Sequence, residues 1–492
     1  MSRSAYIRLG GGIDLVTPPE RLPPGAALYA VNYECPVTGG YRRIDGYTRQ
    51  GPAVPGEGPL LGVVTFNDRI MAVRKDTGAD AATLYRLNDT GNGWDTVNSK
   101  GAMHNGRHEF VEGNVYATES GRALYGVGGG DPFELKTDGS FKALTTAQSG
   151  ARFIALHHNA LVLGFDAGSL QLSTPGKPEE WDAATGSAVE IGVGQTLTGL
   201  LSGTGGTLHV MCRDSIQTLY GTSREDFQLR TTVPNAGARA YSIQSLMQPY
   251  FVGERGIASL EATNDYGDFR PMQPGAKIEP IFTRDNYATR VVASAVSKRR
   301  AQYRVWFDDG TGIYMSPAGI TTVRYPDQIA VAHAGELASG EEQVLMGDDQ
   351  GRVHRLDNDA TSFNGEPIPA FLTLAYADLK QPSVRKRFRR AFWDIRAGSD
   401  ARIAIQPDYD YGRTETAKPQ RDFIEFLLGG GLWDVARWDQ FRWSVPTLAQ
   451  EPMDISGTGT SINFALYSGS ISAAHELLGY DLMFDLRRQR RG

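Results

Sequence analysis

The chain has 492 residues, a formal net charge of −6 with neutral histidines, 40% hydrophobic and 22% charged residues, 58 Gly and 25 Pro. This length favours two to four domains or one large closed β architecture, and the many turn-forming residues favour short strands over long helices. The negative net charge argues against a general nucleic-acid binder, because neutralising phosphates requires a basic surface.

Residues 1–55 are interpreted as an extended N-terminal arm that crosses a neighbouring subunit or a sheet edge. They are rich in Gly and Pro and show no sustained periodicity. A short helix is predicted from Gly25 to Asn32, after Pro23-Pro24. There is no apolar core of a signal peptide and no run of about 20 apolar residues. We therefore expect the chain to stay in the cytoplasm until it is assembled.

Residues 56–364 are predicted to form a β-propeller of about seven blades. An apolar run, a polar turn and a second apolar run recur at intervals of roughly forty residues, the length of a propeller blade. The seven copies are Leu60–Val73, Glu109–Leu124, Arg152–Leu172, Leu208–Leu219, Tyr250–Leu260, Val291–Met315 and Val344–Leu356. The spacing is loose, so an irregular multi-sheet β protein is the alternative. The turn from Asp89 to Trp94 partly resembles the Asp-box turn of sialidase-like propellers, which supports a hairpin but not sialidase chemistry.

Residues 365–492 are predicted to form a β-sandwich-like domain that packs against the propeller, and the fold class is therefore all-β. Strand-like runs occur at Ala370–Tyr376, Arg387–Ile395, Ala401–Ile405, Ser461–Tyr467 and Tyr480–Leu486. A weaker signal predicts a turn of helix from Ser472 to Leu478.

No catalytic, cofactor-binding or metal-binding residue is predicted, and the chain is not expected to be an enzyme. Nucleophile elbows, phosphate-binding loops and zinc spacings are missing from the sequence. The pairs Asp308-Asp309, Asp348-Asp349 and Asp357 with Asp359 lie in turn-like stretches, where shaping a turn is the favoured role over catalysis. Asp408 and Asp410 lack the spacing of a calcium loop. Cys35 and Cys212 are predicted to be free buried thiols.

Two basic runs are candidates for contact with a subunit interface or with DNA in a channel. Their members are Arg385, Lys386, Arg387, Arg389, Arg390, Arg487, Arg488, Arg490 and Arg491. In the first run the cations alternate with aromatic residues, as in nucleic-acid binding segments. On a regular strand Phe388 and Phe392 would share one face, so a half-buried strand with solvated arginines is the alternative. The second run is equally compatible with a frayed tail.

The N-terminal sequence resembles the opening of tail nozzles, also called tail tubular proteins B, of short-tailed bacteriophages. The resemblance lies in Gly11-Gly12-Ile13-Asp14-Leu15, Leu22-Pro23-Pro24-Gly25-Ala26, Asn32-Tyr33-Glu34 and Gly39-Gly40-Tyr41-Arg42-Arg43-Ile44-Asp45-Gly46-Tyr47. Less specific similarity lies in Trp433-Asp434, Trp438-Asp439, Trp443 and Leu478-Gly479-Tyr480.

The resemblance implies a structural virion protein without a cofactor. It implies a ring, expected to be a hexamer, below the adaptor and portal complex in the virion tail, in contact with tail fibres or a needle and lining the DNA exit channel. The net charge adds the hypothesis that mildly acidic channel walls keep DNA from adhering. The alternatives are a receptor-binding or baseplate-like propeller at the tail periphery and a propeller glycosidase, which needs converging carboxylates.

Overall fold

The computed structural model describes residues 2–116, 118, 121–181, 190–203, 205–223, 225–262, 269–397, 401–412, 424–428, 449–471 and 473–487. Strands are numbered β1 to β39 in chain order and dominate these residues. One short α-helix, α1 (Glu279–Thr283), and 3-10 turns at Pro19–Arg21, Ala276–Ile278, Tyr287–Arg290 and Asp410–Gly412 complete the described secondary structure. No helix in this part of the chain is long and apolar enough to cross a membrane.

The N-terminal arm contributes five short strands to sheets formed by later parts of the chain. They are β1 (Ser2–Arg8), β2 (Ala27–Val31), β3 (Tyr33–Glu34), β4 (Tyr41–Arg43) and β5 (Tyr47–Arg49). The predicted helix from Gly25 to Asn32 is wrong, because β2 pairs with a strand near residue 372. Pairing with a distant strand outweighs the local preference for a helix.

Residues 57–356 form seven four-stranded blades. Blade 1 contains β6 (Glu57–Phe66), β7 (Arg69–Lys75), β8 (Ala82–Leu87) and β9 (Trp94–Thr96); blade 2 contains β10 (Glu109–Asn114), β11 (Arg122–Val127), β12 (Phe133–Lys136) and β13 (Phe141–Ala143); blade 3 contains β14 (Phe153–His157), β15 (Ala160–Phe165), β16 (Ser169–Leu172) and β17 (Glu190–Gly192). Blade 4 contains β18 (Leu197–Ser202), β19 (Leu208–Cys212), β20 (Ile216–Tyr220) and β21 (Gln228–Val233); blade 5 contains β22 (Gln244–Leu246), β23 (Gln248–Gly253), β24 (Gly256–Ala262) and β25 (Phe269–Met272). Blade 6 contains β26 (Val291–Ser297), β27 (Gln302–Phe307), β28 (Thr311–Ser316) and β29 (Gly319–Arg324); blade 7 contains β30 (Ile329–Glu336), β31 (Glu342–Asp348), β32 (Val353–Leu356) and β5 from the arm.

The blades close into a circle, because β30 of the last blade packs against β6 of the first. Each of the seven predicted phrases falls in a different blade, so the predicted all-β propeller is confirmed. Turn chemistry helps to fix the hairpins. Asn67 with Asp68 and His158 with Asn159 have positive φ at the two central positions of tight loops, the conformation that two-residue hairpins require.

The C-terminal strands form a sandwich of two sheets. They are β33 (Ala370–Leu374), β34 (Lys386–Ala397), β35 (Ala401–Tyr409), β36 (Ile424–Leu428), β37 (Ala449–Gly459), β38 (Ile462–Ser468) and β39 (His475–Leu486). One sheet has the order β3-β4-β39-β34-β37 with β1 also on β39, and the other continues blade 6 in the order β29-β2-β33-β38-β35-β36. The predicted helical turn near 478 is wrong, because β39 begins at His475; Ser472 lies outside the described residues.

Aromatic side chains fill the space between the two sandwich sheets. The ring of Phe464 on β38 lies 5.0 Å from that of Trp393 on β34 and 5.1 Å from that of Tyr480 on β39. All three are buried, and edge-to-face rings at this separation stabilise a core beyond their buried area. Cys35 and Cys212 are free and buried, as predicted.

Candidate nucleic-acid interface and axial cavity

The basic run from 385 to 390 lies just before and at the start of β34, in the sandwich sheet that also contains β37 and β39. Lys386 is completely buried, and its ammonium donates to the carbonyls of Gln381, Val384 and Thr460 at 2.6, 3.0 and 2.8 Å. Burial lowers its pKa, although Asp378 opposes the shift. The prediction that Lys386 contacts a partner is therefore wrong, since its three donors are used inside the chain.

A β-bulge at Arg389 changes which side chains share a face. Phe388 pairs with Phe484 and Arg390 pairs with Met483, so Arg389 is the extra residue of β34. After the bulge Phe392 stands on the partly exposed face, whereas Phe388 is buried. The expectation that the two phenylalanines share one face is wrong, because an inserted residue reverses the alternation.

Four predicted arginines meet at one shallow groove of about 600 Å³, which we call the arginine groove. Its arginines are Arg385, Arg387, Arg389 and Arg487. The backbone N–H of Arg487 donates to the carbonyl of Arg385 at 2.9 Å, which brings the two predicted basic runs together. Asp485 pairs with Arg389 at 2.9 Å. Among the described residues no ion pair involves the other three arginines.

The remaining predicted arginines do not line the groove. Arg390, which follows the bulge on β34, pairs with Asp454 on the neighbouring strand β37 at 2.6 Å. Arg488, Arg490 and Arg491 lie outside the described residues, as do Trp433, Trp438 and Trp443.

The propeller axis contains a cavity of about 300 Å³ lined by residues of all seven blades or the segments beside them. Arg107 precedes β10 and reaches across this cavity. Its guanidinium donates to the carbonyl of Val292 in blade 6 and, at 2.8 Å, to that of Ala330 in blade 7. The guanidinium also stacks over the ring of Tyr241 at 3.7 Å. Arg107 therefore links opposite sides of the propeller and obstructs its axis.

The cavity holds titratable groups that sequence reasoning missed. Burial raises the pKa of Glu109 to about 7, although Arg107 opposes the shift. Burial also lowers the pKa of His108 and of His333 to about 4, so both imidazoles are neutral near pH 7. The sequence signal for these groups was the titratable stretch 107–109 at the start of β10, the first strand of blade 2. The first strands of the other blades begin mainly with apolar residues.

A second buried cluster, which we call the clamp, joins the arm to the propeller. Its members are Glu34, Arg42 and Asp45 from the arm, Arg300 and Arg304 from blade 6, and Asp357 after blade 7. Arg304 donates to both oxygens of Asp357 at 2.7 and 3.0 Å. Arg300 donates to Glu34 at 2.5 Å and also to Asp45. Three guanidinium groups thus face three carboxylates.

The predicted turn carboxylates do shape turns. Asp348 accepts the N–H groups of Gln350 and Arg352 at 3.0 and 2.7 Å, and Asp309 accepts that of Thr311 at 3.0 Å. Asp357 instead belongs to the clamp.

One cluster of described residues has the composition of a metal site. Asp327, Asp348 and His354 place one ligand atom each within 4.8 Å of the others. His354 contacts Asp348 at 3.0 Å through Nε2, and Tyr47 donates to Asp327 at 2.5 Å. These two bonds lie where β5, which carries Tyr47, pairs with β32 of blade 7, so they help to hold the arm strand in that blade. Elsewhere, Asp410 accepts Thr460 N–H at 2.6 Å and Asp408 accepts the Tyr376 hydroxyl at 2.6 Å.

No protein-family model matches the chain, and no curated protein sequence matches it. Among solved structures it is similar to Raptor from Chaetomium thermophilum, with 10% identity and a TM-score of 0.44 over 64% of this chain and 30% of that one. It is also similar to virginiamycin B lyase from Staphylococcus aureus, with 11% identity and a TM-score of 0.44 over 63% and 99% of the two chains. BBS1N in complex with ARL6DN gives 12% identity and a TM-score of 0.40 over 64% and 97%.

Proposed function

We propose that this chain is a non-enzymatic structural subunit of a short-tailed bacteriophage, the tail nozzle. In this proposal six copies form a ring below the adaptor and line the channel through which DNA leaves the particle. The observation that carries the proposal is the N-terminal phrase that resembles tail nozzles, together with the internal contacts that its residues make.

Each part of that phrase has a specific partner in the fold. A Cβ atom on Gly12, which has φ +70°, would lie 2.3 Å from the backbone N of Ile320, and one on Gly46 would lie 1.8 Å from the carbonyl oxygen of Ser362. Arg42 joins the clamp, and the hydroxyl of buried Tyr41 donates to the carbonyl of Gly25 at 3.2 Å. The phrase therefore encodes the joint between propeller and sandwich, so the residues that carry the resemblance are ones that this fold needs.

This joint makes the subunit suited to a ring under mechanical load. The arm pairs with β39 and β33 of the sandwich and with β32 of blade 7. Because the same fifty residues are built into both units, the units cannot swing freely about one linker. A closed symmetric ring repeats the same interface at every subunit, and a subunit of fixed shape suits such repetition.

The axial cavity supports a DNA path between subunits and not through a propeller. Arg107 crosses the axis, and a cavity of about 300 Å³ has no room for a duplex. The same cavity does not favour a glycosidase. Glycoside hydrolysis usually needs two carboxyl groups, and Glu109 is the single acid among the described residues that line the cavity.

Cryo-electron microscopy of purified phage particles that encode this chain tests the proposal. The expected result is a symmetric ring of this chain on the tail axis, below the adaptor. A position at the tail periphery would contradict the nozzle and favour a receptor-binding propeller, which should also bind host cells as an isolated protein. Absence from the particle would reject a virion role altogether.

A further inference from the structure

We infer that the arginine groove binds the phosphate backbone of duplex DNA without sequence preference. The choice of DNA over an acidic protein surface rests on the proposed function, which brings the genome past this protein. The groove itself is defined by geometry and charge that do not depend on that function.

The first observation is a local charge that the rest of the chain does not share. The chain has a net charge of −6, yet four arginines and no acid are among the described residues that line the groove. Of the two acids beside it, Asp485 pairs with Arg389 and Asp454 with Arg390, which is outside the groove. Three guanidinium groups are therefore left for an external anion. On the same strand Arg390 and Arg396 each pair with an acid, Asp454 and Glu476. Among the described arginines of β34, the one without an acidic partner is therefore Arg387, which lines the groove.

The second observation is the shape of the groove floor. Arg387 pairs across the sheet with Thr458, and Ser456, Gly457 and Thr458 form the opposite side. Hydroxyl groups beside arginines are common partners of phosphate oxygens. A guanidinium offers a phosphate two parallel N–H donors.

The third observation indicates backbone contact and not base stacking. Phe388 is the aromatic residue of the lining, and its side chain is buried. Single-stranded nucleic acids are usually held by exposed aromatic rings on which bases stack. A groove with guanidinium groups and hydroxyls, but without an exposed ring among its described residues, fits the outside of a duplex.

The buried Lys386 holds this surface in place. Its ammonium donates to the carbonyls of Gln381, Val384 and Thr460, which joins the loop before β34 to the residue after β37. The loop that carries Arg385 is thereby fixed against β37, so the groove arginines project from a rigid base.

The test is fluorescence anisotropy of a short labelled DNA duplex titrated with the full chain at several salt concentrations. Three phosphate contacts predict a slope of about −2.7 in log affinity against log salt, so the affinity should fall roughly forty-fold between about 50 and 200 mM salt. The groove variant replaces Arg385, Arg387 and Arg487 with Ser. We expect it to bind at least about ten-fold more weakly at 50 mM salt and to lose most of the slope.

The matched control removes the same three charges from the same sheet outside the groove, as Arg8→Ser, Arg390→Ser and Arg396→Ser. It should bind DNA within about two-fold of the unaltered chain, because its arginines are not in the groove. Equal losses in the two triple variants would overturn the inference, as would no binding of the unaltered chain at 50 mM salt. Equal competition by poly-glutamate at matched charge would assign the groove to an acidic protein instead.

Thermal melting by circular dichroism checks that both variants fold. If the groove variant does not fold, Arg487→Ser alone replaces it, because the substitution keeps the backbone N–H of that residue, which donates to Arg385; the slope should then become smaller by about one. Failure of the proposal that the groove binds DNA can be distinguished from failure of the proposal that the chain is a tail nozzle. A chain seen on the tail axis that does not bind DNA rejects only the groove, and a DNA-binding chain missing from the particle rejects only the nozzle.

Discussion

The clamp and the arginine groove contain similar numbers of guanidinium groups in opposite surroundings. In the clamp, burial alone would lower the pKa of Arg300, but Glu34, Asp357 and Asp45 raise it, so the charge is retained inside the protein. In the groove, three of four arginines have no acidic partner among the described residues. Arginines that pair with carboxylates of the same chain hold the fold together, whereas surface arginines without such a carboxylate are available for a partner.

The largest expected effect comes from breaking the clamp at Asp357. Asp357→Ala leaves the fully buried Arg304 without its bidentate partner and also removes one partner of Arg300. A buried charge that loses its partner typically costs about 3–5 kcal/mol. We expect the free energy of unfolding in urea to fall by that amount. Asp454→Ala, which removes an exposed acid, is the control and should shift it by less than about 1 kcal/mol. Equal effects of the two variants would show that the clamp does not stabilise the fold.

The second prediction concerns Glu109 in the axial cavity, beside the buried Arg107. Both residues lie outside the clamp and the arginine groove. Burial raises the pKa of Glu109 to about 7, above its ordinary 4.5. The folded chain therefore keeps a proton that the unfolded chain releases between about pH 4.5 and 7. Stability should fall as the pH rises through this window, by at most about 3 kcal/mol.

Glu109→Gln should remove this part of the pH dependence. The measurement is the difference in free energy of unfolding between the original chain and the variant from pH 4 to 8. Taking the difference cancels the opposite slope from His108 and His333, whose lowered pKa values make the fold less stable in acid. A difference that stays constant with pH would contradict the raised pKa.

The third prediction separates two neighbours in the same basic run. Lys386→Ala leaves three partly buried carbonyls without their donor, which should lower the free energy of unfolding by about 1–3 kcal/mol. Arg387→Ala changes an exposed side chain and should lower it by less than about 0.5 kcal/mol. DNA binding should respond in the reverse order, because Arg387 lines the groove. If Arg387→Ala is the more destabilising, this assignment of the two roles is wrong.

The propeller could be predicted from sequence because its signal is local. Each blade repeats apolar runs and turn residues within about forty positions, and each phrase falls in one blade. The clamp could not be predicted in this way, because Glu34 and Arg300 are 266 positions apart and only the fold brings them together. In the basic run, the bulge at Arg389 and the burial of Lys386 depend on the register with β37 and β39. Residue type alone therefore did not distinguish a cation that is bonded inside the fold, such as Lys386, from one that is exposed to a partner, such as Arg387.

The smallest expected effect is the most direct comparison between exposed and buried ion pairs. Arg390 on β34 and Asp454 on β37 form a pair at 2.6 Å, with side chains 46% and 78% exposed. A double-mutant cycle with Arg390→Ala and Asp454→Ala should give a coupling energy of about 0.2–1 kcal/mol, because water screens the pair.

The same cycle for Arg304 and Asp357, where the guanidinium is completely buried, should give a clearly larger coupling, since little water competes there. The exposed coupling should shrink in high salt and the buried one should not. Equal couplings with equal salt dependence would mean that burial does not separate the two kinds of arginine, and the groove arginines would then lose their distinction from those of the clamp.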